Sequence, residues 1–186
     1  MNRELKILFI TSGFFFLAGG LFGPIYAVFV EQIGGDLLIA GTAFGAFSIT
    51  TALFTFILSK WEDRVKHQEK LVVAGYFLSC IGFAGYLLIK QPFDLFIVQI
   101  IFGLGDAVTL PVWDGLYSKH LDKGRYASEW GSWEAMRSVI IAIAASLGGL
   151  LAGIYGFRFL FLLMLLLSLI GFFLSLSLIL KQRRKK

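Results

Sequence analysis

Apolar runs of about twenty residues, separated by short charged connections, constrain this chain more than any motif does. Stretches such as LLIAGTAFGAFSITTALFTFIL, residues 37–58, and FLLMLLLSLIGFFLSLSLIL, residues 161–180, are each long enough to cross a bilayer core as a helix. A soluble domain carries about 25% charged residues, whereas this chain of 186 residues carries 16%, and bunches them. Backbone groups in lipid must be satisfied within a segment or across a closed barrel. Barrel strands of about ten alternating residues are absent, so the chain reads as an all-α integral membrane protein.

Six spans are expected, at about 5–30, 37–58, 71–89, 95–117, 133–155 and 159–180. The connections are short, so residues 1–186 form a single transmembrane domain. The opening MNRELKILFITSGFFF resembles a secretory leader, yet no clear small-residue cleavage site follows and the apolar run continues to Val30. It reads as a retained first span. Cys80 stands alone, with no internal disulfide open to it, and is expected to pack as a small apolar residue.

Lys and Arg set the orientation. Arg3, Lys6, Lys60, Arg64, Lys66, Lys70, Lys119, Lys123, Arg125 and the tail KQRRKK fall on one side, against Lys90 and Arg158 on the other. The positive-inside rule then places both termini in the cytoplasm, which an even number of spans also requires. The net charge of +5 is a consequence of topology and does not indicate nucleic acid. Trp61, Trp113, Trp130 and Trp133 cluster toward the same side, as an interfacial belt would.

The loop LSKWEDRVKHQEK, Leu58 to Lys70, resembles the signature between helices two and three of the major facilitator superfamily. Asp63 and Arg64 match its Asp-Arg pair, while Ser59 and Lys66 stand where the family has Gly. In the fourth span QIIFGLGDA is similar to the family's Arg-x-x-x-Gly-x-Gly-x-Ala, with Gln99 in place of the Arg. SLGGLLAGIYGFRFLF resembles the Gly-rich fifth helix and the turn after it. It lacks the Pro of many drug antiporters, so drug efflux is not indicated. The resemblance implies half of a major-facilitator-type fold, with six helices arranged as two inverted three-helix repeats. GPIYAVF in the first span and LPVWDGL in the fourth align in that sense, each with a Pro two residues before Tyr26 or Trp113.

One half encloses no two-walled cavity; two copies about an axis normal to the membrane would. Gly41 and Gly45 in the second span, and Ala145, Gly149 and Gly153 in the fifth, have the spacing that lets helices approach closely in lipid. They are the expected homodimer interface, an isologous one; packing within one protomer would use the same spacing. The resemblance further implies that Asp63 meets the N-terminus of the partner's fifth helix and latches an inner gate.

Charge near the bilayer centre costs about 3 kcal/mol on insertion scales, so Asp106 and Arg137 should face protein or water. Gln99, Asp106 and Trp113 recur every seven residues and share one helix face. The resemblance makes that face line the central cavity, with Tyr26 opposite. Asp106 is the candidate proton or substrate group, with Arg137 as its expected partner; the alternative is a static pair that fixes helix register. Glu134 is expected to face the partner copy and reach Arg64, while Asp114 joins Arg125 or Lys119 in an inner charge network.

The resulting expectation is a secondary active transporter of a small solute, acting as a homodimer by alternating access, with proton coupling through Asp106. No cofactor or metal site is expected, since no ligand spacing appears. A non-transporting subunit or heterodimer partner is the alternative. A remote one is an intramembrane aspartyl protease, because Gly103-Leu104-Gly105-Asp106 spells Gly-x-Gly-Asp. That chemistry needs two adjacent carboxylates, whereas Asp114 lies about 12 Å along the same helix.

Overall fold

A computed structural model of the chain describes residues 3–182, with side chains described over 5–179. Arg3 and the basic tail from Lys181 onward, part of the charge asymmetry, lie outside those side chains. Every regular element among the described residues is helical: α1 (Arg3–Gly20), a short 3-10 turn (Gly23–Ile25), α2 (Tyr26–Gln32), α3 (Leu37–Glu62), α4 (Glu69–Tyr86), α5 (Pro92–Ser118) and α6 (Tyr126–Gln182). Four stretches are long and apolar enough to cross a membrane: Leu5–Gln32, Leu37–Glu62, Pro92–Ser118 and Tyr126–Ile179.

Local chemistry sets several boundaries. Asp36 caps α3 by accepting from the Ile39 amide at 2.8 Å. Pro92 opens α5 where a missing N–H does no harm, and the Asp94 carboxylate accepts from the amides of Lys90 and Gln91 at 2.9 and 3.2 Å. The first expected span is not one continuous helix. α1 ends at Gly20, and Pro24 sits in the 3-10 turn before α2 begins. By contrast, α5 runs through Pro111 to Ser118. The two aligned Pro segments therefore differ in local form.

The 57 residues of α6 would extend about 85 Å as one straight helix, nearly three bilayer cores. Gly156 breaks it, at φ 80° and ψ 167°. Both arms, 126–155 and 157–182, pack on α1, but in opposite senses. Positions 140 and 148 lie against Gly13 and Leu21. Beyond the break, Phe161 meets Phe22, and Gly171 meets Phe14 and Phe15. The chain therefore runs along α1 and doubles back. Only glycine adopts the Gly156 conformation readily. Gly156→Ala is expected to lower stability by roughly 1–3 kcal/mol, read as an earlier thermal transition in detergent. An unchanged transition would show that the reversal does not depend on this residue.

Close helix contacts run through glycine. α4 packs on α5 where a Cβ on Gly82 would fall 2.8 Å from the Phe102 ring, and one on Gly105 would fall 3.1 Å from Ser79 Oγ. α3 reaches α5 at Gly103, where a Cβ would fall 2.7 Å from the Phe47 carbonyl. Cys80 is buried, as a packing residue would be.

Candidate functional site

Three concavities meet at Asp106. One chamber of about 330 Å³, toward the Ser118 end of α5 and called inner for that reason, is lined by Ser12, Phe16, Tyr76, Trp113, Asp114, Trp133, Glu134 and Arg137 among others. A second of about 450 Å³, toward the Pro92 end and called outer, includes Gly19, Tyr26, Tyr86, Gln99 and Phe102. Phe15, Phe16, Ser79, Asp106, Leu110 and Arg137 border both. A wider groove of about 720 Å³ runs along α3, with Ser48, Thr51, Thr55 and Ser59 on one wall and Asp106 on the other. That row of hydroxyls follows helical spacing, so α3 presents a polar stripe to the groove.

The stripe of Gln99, Asp106 and Trp113 thus faces open space in the bundle, and Tyr26 shares the outer chamber with Gln99 and Asp106. Gln99 and Trp113 are buried, at 6% and 5% exposure. No hydrogen bond or ion pair reaches Asp106 from the described residues.

Arg137 does not take the expected partner. Its guanidinium donates to Glu134 at 2.9 Å, one turn back on the same helix. A pair three residues apart is pre-aligned by the helix and needs no second element, which is why it forms in preference to a contact with Asp106. Glu134 therefore belongs to the chamber wall, paired within its own helix. Arg137 also lies 5.2 Å over the Phe16 ring, a cation–π contact. Asp114 is exposed but lines the inner chamber, where it feels Glu134 and Arg137. It makes no ion pair with Arg125 or Lys119 among the described residues; Lys119 instead donates to Gln68 at 2.7 Å. Asp63 and Arg64 are exposed at the end of α3.

Trp113 and Trp133 do not form an interfacial belt. They stack at 4.4 Å inside the bundle, with Phe9 at 4.7 Å from Trp133, and are 5% and 4% exposed. Flat rings bury more area against one another than they could at a lipid surface. Trp61, at 53% exposure, remains at the surface. Tyr76 and Ser12, which share a hydrogen bond of 2.7 Å, were not singled out from the sequence. One signal was present: Ser12, Gly19 and Tyr26 recur every seven residues, as Gln99, Asp106 and Trp113 do.

Many glycines, among them Gly20, Gly75, Gly82, Gly85, Gly103, Gly148 and Gly171, are pressed against neighbours. Others have nothing within 4 Å of the place a Cβ would take: Gly41, Gly45, Gly149 and Gly153 at a spacing of four in two of the expected spans, and also Gly19, Gly23, Gly115 and Gly131 together with the positive-φ Gly34, Gly124 and Gly156.

The family model described as Major Facilitator Superfamily matches residues 8–186. The uncharacterized MFS-type transporter YitZ of Bacillus subtilis is 27% identical over 150 residues, covering 78% of this chain and 88% of its own. An uncharacterized MFS-type transporter of Methanocaldococcus jannaschii is 22% identical over 158 residues, 85% of this chain and 41% of its own. The multi-drug resistance efflux pump PmrA of Streptococcus pneumoniae is 24% identical over 160 residues, 83% of this chain and 39% of its own. The chain thus spans about two fifths of the latter two relatives. In the in meso crystal structure of the POT family transporter PepTSo, the fold superposes with a TM-score of 0.74 at 14% identity, over 95% of this chain and 37% of that one.

Proposed function

This chain belongs to the Major Facilitator Superfamily, and from that premise we propose that it is one six-span half of a secondary active transporter, completed by a second copy of itself. The first span is α1 continued through α2; α3, α4 and α5 are the next three; the two arms of α6 are the last. The pattern of packing supports an inverted repeat. α5 packs on both α3 and α4, as α1 packs on both arms of α6. Both termini lie in the cytoplasm, by the bias of Lys and Arg.

The observation that carries the reading is Asp106 itself. A carboxylate midway along an apolar helix, without a protein partner among the described residues, borders an open groove along α3 that carries a row of hydroxyls. Intramembrane carboxylates of this kind mark solute and proton pathways. The missing wall is supplied by the second copy. Its docking ridge is Gly41, Gly45, Ala145, Gly149 and Gly153, which repeat at a spacing of four and whose glycines have open space where a Cβ would stand. Asp63 sits at the inner end of that interface, close to the N-terminus of the first arm of the partner's α6, its fifth span. Rocking of the two halves about the site exposes Asp106 to each side in turn, and its protonation couples solute to the proton gradient. The family is one of transporters, so the protease reading of Gly-x-Gly-Asp falls away.

Subunit counting by native mass spectrometry from lipid nanodiscs tests this. A dimer that Gly45→Leu dissociates, with its melting transition retained, is the expected result. A monomer at micromolar concentration would overturn self-pairing and direct the search to a different partner chain.

A further inference from the structure

Four charged side chains line the inner chamber: Asp106, Asp114, Glu134 and Arg137. Glu134 and Arg137 neutralise each other at 2.9 Å. Asp106 and Asp114 have no ion pair among the described residues, so the chamber carries two uncompensated carboxylates. Charges of one sign lining a cleft with apolar walls raise the local concentration of counter-ions.

The walls match an organic cation better than a bare ion. Phe16, Trp113, Trp130 and Trp133 line the chamber. Aromatic faces attract cations, and Phe16 already holds the Arg137 guanidinium in this way. A second observation is independent of the charges. The Trp113 ring nitrogen is buried without a hydrogen-bond partner, and Trp113 lines the chamber. The residue is only 5% exposed. A buried donor left unpaired costs roughly 1–3 kcal/mol, and an acceptor atom on a ligand would remove that penalty.

We propose that the inner chamber binds an organic cation that carries a flat apolar body and a hydrogen-bond acceptor. Asp106 holds the cationic centre, Asp114 adds to the field that draws it in, the Trp113–Trp133 stack takes the apolar body, and the Trp113 ring nitrogen donates to the acceptor. The Glu134–Arg137 pair keeps Arg137 from opposing the ligand. The assignment rests on the transporter reading only for what crosses the membrane; binding itself is a separate property.

The test compares benzoylcholine with 3,3-dimethylbutyl benzoate, which has the same shape with carbon in place of the charged nitrogen. Calorimetric titration of the full chain in nanodiscs should give saturable benzoylcholine binding, at least tenfold tighter than the neutral ester. Asp106→Asn should erase that preference, and Asp114→Asn should reduce it. Trp113→Phe should weaken both ligands alike, because it removes the donor and leaves the charges. Each variant is first checked for an unchanged melting transition; should Asp106→Asn not fold, Asp106→Ser replaces it. Equal affinity for the two esters, no saturable binding of either, or a preference that survives Asp106→Asn would overturn the proposal. Gradient-driven flux in proteoliposomes is read separately. Binding without flux sinks the transporter reading alone, and flux without a cation preference sinks this one alone.

Discussion

Asp106→Asn should reduce proton-driven accumulation to the equilibrated level, an inside-to-outside ratio of about one, because the group that takes up the proton is gone. Exchange of solute across the same membrane should persist, since Asn fills the same space and still offers hydrogen bonds, but a cationic solute should need a concentration about tenfold higher because its charge partner is gone. The measurement is uptake into proteoliposomes under an imposed pH gradient, beside counterflow with no gradient. Stability separates this role from a static one. Asp106 has no ion pair or hydrogen bond from the described residues, so the substitution breaks no contact and removes only a half-buried charge. The melting transition should stay level or rise by the equivalent of about 1 kcal/mol. A loss of stability alongside unchanged accumulation would assign Asp106 to the scaffold.

Two adjacent glycines should respond in opposite ways to one substitution. A Cβ on Gly148 falls onto the Leu21 carbonyl of the chain just after α1, while one on Gly149 meets nothing within 4 Å. Gly148→Leu must displace backbone, which no rotamer change can relieve. Overpacking by a few methylenes already costs about 1–3 kcal/mol, and a clash with backbone should exceed about 4 kcal/mol. The expected outcome is loss of folded protein in size-exclusion profiles. Gly149→Leu should leave the melting transition within about 0.5 kcal/mol and instead shift the dimer to monomer by tenfold or more. If Gly149→Leu unfolds the chain while Gly148→Leu does not, the division of the glycines between fold and interface is wrong.

The test pair also shows how far sequence reaches. Membrane residence and the all-helical class follow from the apolar runs alone, because a bilayer admits few ways to satisfy a backbone. The stripe of Gln99, Asp106 and Trp113 was legible too, since helical period fixes which residues share a face. Ser12, Gly19 and Tyr26 carried the same period and could have been found with it. The Glu134–Arg137 pair was readable from its spacing of three, whereas a pairing of Arg137 with Asp106 follows only from the cost of an intramembrane charge, which spacing does not decide.

Other features depended on how helices lie against one another. Small residues at a spacing of four signal a close approach, but only the tertiary structure decides which approach uses them. Gly103 and Gly148 are spent on contacts inside the bundle, and Gly45 and Gly149 are left open. The same holds for Trp113 and Trp133, whose ring stack joins α5 to the first arm of α6 where the sequence alone allowed a lipid interface. Period and hydropathy are properties of one helix and its solvent, and the sequence determined those. Which neighbour meets which face is a property of pairs of helices, and only the packed bundle decided it.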